Sequence, residues 1–175
     1  GRQKLASISE FQGKIEAAKA HQKTSEFVII ARVEALVAGA GMDEALARAT
    51  AYQAAGADLI LIHSKQPQPD EILTFLDCWD AQVPIVVVPT TYPQLTAHEL
   101  DGAGAKVVIY ANQGLRAAVH HMDAILSEIK HEASTRTVES RIAGIDRIFE
   151  LQGLASLQEK EQLYVRGERE TKGPI

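Results

Sequence analysis

The sequence predicts an α/β fold in which four parallel strands alternate with helices. Four short runs rich in Val, Ile and Leu, at residues 27–33, 58–64, 84–90 and 106–112, are bounded by polar, Gly or Pro residues. That is the pattern of strands buried on both faces. Their starts lie 31, 26 and 22 residues apart, which leaves room for one helix and two short loops, as a parallel βα repeat requires. Each run also ends, always at its C-terminal end, in side chains that form hydrogen bonds.

The helices follow from periodicity and caps. Ser7 and Glu10 have capping-box spacing, and Ile8, Phe11, Ile15 and Ala18 then share one face. Met42, Ala45, Ala49 and Tyr52 form the stripe of a second helix. Pro69 suits the first turn of a third, with Ile72, Phe75, Leu76 and Trp79 buried. Residues 96–103 predict a short fourth helix. Leu115, Val119, Met122, Ile125 and Ile129 mark a long fifth, and Val138, Ile142, Ile145 and Phe149 a sixth that ends near Gly153. The charged stretch from residue 158 onward reads as a frayed tail after a last helical turn.

Four βα units are half of a (β/α)₈ TIM barrel, or a four-stranded open sheet. The pattern alone leaves both open. A complete barrel takes about 250 residues, and the chain has 175. An isolated half barrel leaves two sheet edges and one sheet face unprotected.

Composition narrows the class. A net charge of −5 argues against a general nucleic-acid surface, which needs concentrated Lys and Arg. With 46% hydrophobic residues the chain is an ordinary soluble domain. No apolar run approaches the roughly 20 residues of a membrane span, and no signal-peptide pattern opens it. The one cysteine, Cys78, cannot form an internal disulfide and points to a reducing cytoplasm; with no basic neighbour to lower its pKa, it reads as inert.

The strand ends hold the candidate site. The first gives Arg32 and Glu34, the second His63, Ser64 and Lys65, the third Thr90 and Thr91, the fourth Asn112. In parallel α/β folds this edge binds ligands. Each residue also has a plain structural reading: Arg32 with Glu34 as an ion pair, His63 as a hydrogen-bonded structural residue, Asn112 as a helix cap. Their convergence on one edge favours a site, and an Arg beside a His makes a grip for a carboxylate or phosphoryl group. The adjacent His120 and His121 point about 100° apart on a helix and do not share a metal.

The segments Ile30-Ala31-Arg32-Val33-Glu34-Ala35, Ala55-Gly56-Ala57-Asp58, Leu61-Ile62-His63-Ser64-Lys65, Val88-Pro89-Thr90 and Ile109-Tyr110-Ala111-Asn112 occur in an order that resembles one family. It is the phosphoenolpyruvate mutase and phosphonopyruvate hydrolase group of the isocitrate lyase superfamily. Gly1-Arg2-Gln3 and Phe149-Glu150-Leu151-Gln152 extend the likeness, which covers about residues 1–155. The resemblance implies the C-terminal half of a TIM-barrel catalytic domain over residues 1–155, four βα units plus C-terminal helices, with residues 156–175 as a charged tail. It implies a catalytic, phosphonyl-binding Arg32 and His63, with Ser64 and Asn112 as further substrate-binding residues in supporting roles and Glu34 as a supporting residue. It also implies a phosphonate or keto-acid substrate, a homo-oligomer that exchanges its last helix, and a Mg²⁺ ion. The metal ligands belong to earlier strands of the family, so no metal or cofactor ligand is expected in this chain, and the polypeptide alone is expected to be inactive. Phosphonopyruvate hydrolysis is the expected reaction, with the mutase as the alternative. A carbon–carbon lyase of the superfamily and a non-catalytic half-barrel binding module are the further alternatives.

Overall fold

The computed structural model describes residues 4–80 and 83–165. Gly1-Arg2-Gln3 and the last ten residues of the expected tail lie outside the described residues. The chain divides into two units, residues 1–114 and 115–175.

The first unit holds a parallel sheet in the order β1 (Ile30–Val33), β2 (Leu59–Ile62), β3 (Ile85–Val87) and β4 (Ala105–Val108). The sequential order and the helix after each strand are the arrangement of half of a (β/α)₈ barrel. The strands are shorter than their apolar runs. At β1 the chain is still turning at Phe27, whose N–H donates to the Thr24 carbonyl, and the Ile29 N–H donates to the Asp58 carboxylate at 2.8 Å instead of to a strand. At β4 the ladder begins one residue earlier than expected, because Lys106 is an extra residue between the Ile85–Ala105 and Val86–Val107 pairs.

Strand alternation divides the core in two. One face of the sheet presents Ala31, Val33, Ile60, Ile62, Ile85 and Val87 to the helices, all at most 2% exposed. The other face carries Ile30, Leu59, Leu61, Val86, Val88 and Val107, with Leu61, Val86 and Val88 packed together. Exposure on this face rises from 0% at Val86 to 44% at Ile30 and 39% at Val107. Up to the strand ends this face is lined by aliphatic side chains.

Helix α1 (Ile8–Ala20) is capped by the Ser7 hydroxyl, which accepts the Glu10 N–H at 3.1 Å. Only half of the expected capping box forms, because the Glu10 carboxylate turns to Lys14 at 2.6 Å. Helix α2 (Met42–Ala54) starts from Gly41 at φ 91°, a backbone position that disfavours side chains. It buries Arg48 beside Ala45, Ala49 and Tyr52. Helix α3 (Asp70–Cys78) has Pro69 as N-cap and buries Ile72, Phe75 and Leu76. Helix α4 (Ala97–Gly102) opens with a complete capping box of Thr96 and Glu99.

In the second unit, α5 (Gln113–Glu132, its first two residues in the first unit) exposes Leu115, Val119, Met122 and Leu126. The single helix expected from Val138 to Phe149 is instead a 3₁₀ turn (Glu139–Arg141) and α6 (Ile145–Leu151), separated by extended backbone at Ile142 and Gly144. Gly153, at φ 68°, ends α6 as expected, but the chain restarts as α7 (Leu154–Tyr164), so residues 158–164 are helical and not frayed. Here the left-handed glycine turns the chain between two helices.

Candidate functional site

The C-terminal ends of the four strands bring the expected residues to one edge of the first unit. Arg32 is on the sheet face opposite the helices, its side chain 51% exposed, and its Nε donates to the carboxylate of Glu34, two residues on and 20% exposed. That bond occupies one edge of the guanidinium and leaves the Nη edge for a ligand. His63 follows β2 on the same face as Leu59 and Leu61. Burial holds its imidazole below the usual histidine range, the Arg32 charge pushes it further down, and Glu34 acts in the opposite sense. The Arg32 guanidinium and the His63 ring therefore share one electrostatic neighbourhood.

Three buried side-chain atoms at successive strand ends have no hydrogen-bond partner among the described residues: His63 Nδ1, Thr90 Oγ1 and Asn112 Oδ1. Unpaired buried polar atoms are costly, so a run of them along one edge marks a place built to meet something polar. Asn112 does not cap α5, since a capping oxygen accepts helix N–H groups and its Oδ1 accepts none.

Ser64 has a different part. It is fully buried, its hydroxyl donates to the Glu71 carboxylate on α3, and it accepts the Gln66 N–H at 3.0 Å. The Thr91 hydroxyl donates to the Ser64 carbonyl at 3.0 Å. Ser64 thus ties the loop after β2 to α3 and to the loop after β3, and so fixes the backbone that carries His63. Sequence reasoning missed Glu71 in this knot and gave Thr90 little weight. Thr90's position at the end of a strand was the available signal.

The model of the phosphoenolpyruvate phosphomutase family matches residues 1–130. The chain belongs to that family. It is 46% identical over 167 residues to the phosphonopyruvate hydrolase of Variovorax sp. (strain Pal2), covering 95% of this chain and 58% of that one. The crystal structure of phosphoenolpyruvate phosphomutase from Streptomyces platensis subsp. rosaceus superposes with a TM-score of 0.92 at 49% identity, over 95% of this chain and 58% of that one. A phosphonopyruvate hydrolase structure in complex with oxalate and Mg²⁺ superposes with a TM-score of 0.90 at 45% identity, over 95% of this chain and 59% of that one. The chain thus spans somewhat more than half the length of these members of the phosphomutase family.

Mg²⁺ accompanies oxalate in that hydrolase complex. Among the described residues, no group of three or more His, Cys, Asp or Glu side chains could hold a metal ion. They therefore do not fit a Mg²⁺ site, and what they offer is a cationic, hydrogen-bonding edge. Among the described residues no helix is long and apolar enough to cross a membrane.

Proposed function

We propose that the protein acts on the carbon–phosphorus bond of phosphonopyruvate, with hydrolysis to pyruvate and phosphate as its reaction. The observation that carries this reading is the placement of the ion-paired Arg32 and of His63 in one electrostatic neighbourhood, beside polar strand-end atoms that have no partner among the described residues. Cleavage leaves the bonding electron pair on the methylene carbon as pyruvate enolate, while the phosphoryl group passes to an oxygen. Arg32 and His63 hold that group in line and neutralise its charge, a task of positioning more than covalent chemistry. Thr90 and Asn112 offer further polar contacts, and Ser64 and Glu34 hold their neighbours in place. If water supplies the oxygen, phosphate forms.

If the enolate oxygen captures the phosphoryl group, phosphoenolpyruvate forms and the protein is a mutase. Its 49% identity to the Streptomyces platensis phosphomutase favours that second reading. The 46% identity to the Variovorax hydrolase supports the first. A cytoplasmic location belongs to this reading, supported by the free, exposed Cys78. It works as a homo-oligomer that exchanges its last helices, supported by the exposed apolar side chains of Ile145, Phe149 and Leu151 on α6 and Leu157 on α7. Light scattering on the purified protein checks the last point, and a strictly monomeric species at high concentration contradicts it.

The test of activity joins residues 1–175 to the part of the Variovorax hydrolase that they do not match. Phosphorus NMR then follows phosphonopyruvate in the presence of Mg²⁺. Free phosphate as first product supports hydrolysis, and phosphoenolpyruvate supports the mutase. A folded chimera without turnover, or one whose Arg32→Ala variant is fully active, overturns the proposal.

A further inference from the structure

We propose that Arg48 is a positioning residue for the Arg32–Glu34 pair, acting through the segment that leads into α1; the inference rests on Arg32 as the anion grip. Arg48 lies on α2 and is 8% exposed, an unusual place for a guanidinium. Its Nε donates to Glu44 at 2.8 Å, and its Nη1 donates both to the Ala6 carbonyl and to the Tyr52 hydroxyl at 2.9 Å. Burial works against its charge, and the Tyr52 and Glu44 bonds outweigh that cost.

The Ala6 bond reaches across 42 residues. Ala6 immediately precedes the N-cap Ser7, so Arg48 fixes how the chain enters α1. That entering segment borders the candidate site. A cleft of about 220 Å³ is lined by Leu5 and Ala6, by Arg32 and Glu34, and by Arg48 and Tyr52. Leu5 also packs against the core cluster. With Ala6 pinned, Leu5 and Ala6 hold one wall of the narrow cleft that Arg32 and Glu34 also line, and so limit the room for water on that side of their bond. An ion pair shielded in this way is stronger and better fixed than one open to solvent. Released, the segment lets water in, and the guanidinium loses its set orientation.

The arrangement needs an arginine. Only a planar fork meets a carboxylate with one nitrogen while another serves a carbonyl and a phenol, and a lysine ammonium keeps the charge without that geometry. Arg48→Lys and Tyr52→Phe are therefore the informative variants. The second removes one acceptor and leaves the ring that packs 4.5 Å from Phe11.

The experiment uses the 175-residue protein with labelled arginine. Circular dichroism verifies the fold, hydrogen exchange follows the Arg32 Nε–H resonance (identified by its loss in Arg32→Ala), and methylphosphonate is titrated as the probe. In Arg48→Lys, exchange at Arg32 Nε is expected to speed up about fivefold and the methylphosphonate Kd to rise by about the same factor. Tyr52→Phe shifts both in the same direction by less, and it decides the matter if Arg48→Lys does not fold. Wild-type exchange at Arg32 Nε in the folded variants overturns the proposal. Faster exchange in a protein that binds no methylphosphonate supports the positioning role and refutes the anion reading.

Discussion

Replacing Arg32 with alanine should weaken phosphonate binding in a way that only its bond to Glu34 explains. A hydrogen bond to a charged group contributes about 1.5–3 kcal/mol, or roughly 10- to 150-fold in affinity. The Arg32 side chain is 51% exposed, so solvent screening places the direct loss near the lower end, about 10- to 30-fold. The substitution does something further. It leaves the Glu34 carboxylate, 20% exposed, beside the phosphonate without its counter-charge, and like-charge repulsion adds to the loss. Glu34→Gln in the Arg32→Ala background should therefore recover part of the affinity, whereas Glu34→Gln alone should weaken binding by loosening Arg32. The assay is calorimetric titration of methylphosphonate into the four proteins of this double-mutant cycle, at low and moderate salt. Lys106→Ala, an exposed cation paired with Asp101, serves as control for non-specific charge. Additive effects, or an Arg32→Ala loss no larger than that of Lys106→Ala, would falsify the coupling.

Two further expectations concern stability. Ser64→Ala should cost about 1–2 kcal/mol, because it takes from the part-buried Glu71 carboxylate and Gln66 N–H the hydroxyl they share; urea unfolding checks this, and a change within about 0.5 kcal/mol contradicts it. Acid should destabilise the protein through two groups of opposite type. Asp58 is held below its ordinary value by the Ile29 N–H and then by Lys19, so its contribution is present above the unfolded carboxylate value of 3.8 and is lost as pH falls through the lower folded value. His63 is also held low, so the unfolded chain takes up that proton first, and stability declines as pH falls through 6.5 toward the folded value. Unfolding followed across pH should show both windows, with His63→Gln removing the upper one and Asp58→Asn the lower. Persistence of the upper window in His63→Gln assigns it to another group.

The four strands were legible because a parallel strand buried on both faces leaves a continuous aliphatic run, and each such run here is a strand. The edge that gathers Arg32, His63, Thr90 and Asn112 was legible for a related reason: strand alternation and direction decide face and end without any tertiary knowledge. What the sequence hid was set by which side chains meet once the loops close. Arg48 carries no signal of its own in the sequence, and its burial goes with its bonds to the Ala6 carbonyl and to Tyr52. Ser64 reads as one more hydroxyl at a strand mouth, and its occupation by Glu71 appears only when the loop closes onto α3. The break at Gly144 and the restart after Gly153 eluded a periodicity argument because the apolar spacing continues across both.

In the proposed function, Arg32 and His63 hold one phosphonyl group between them. Nitrogen NMR of labelled histidine, recorded across pH with and without methylphosphonate, tests it most directly. A bound dianion favours the imidazolium, so the His63 pKa should rise on binding, and the rise should disappear in Arg32→Ala. A His63 titration unchanged by saturating methylphosphonate, or one that rises equally without Arg32, would contradict the claim.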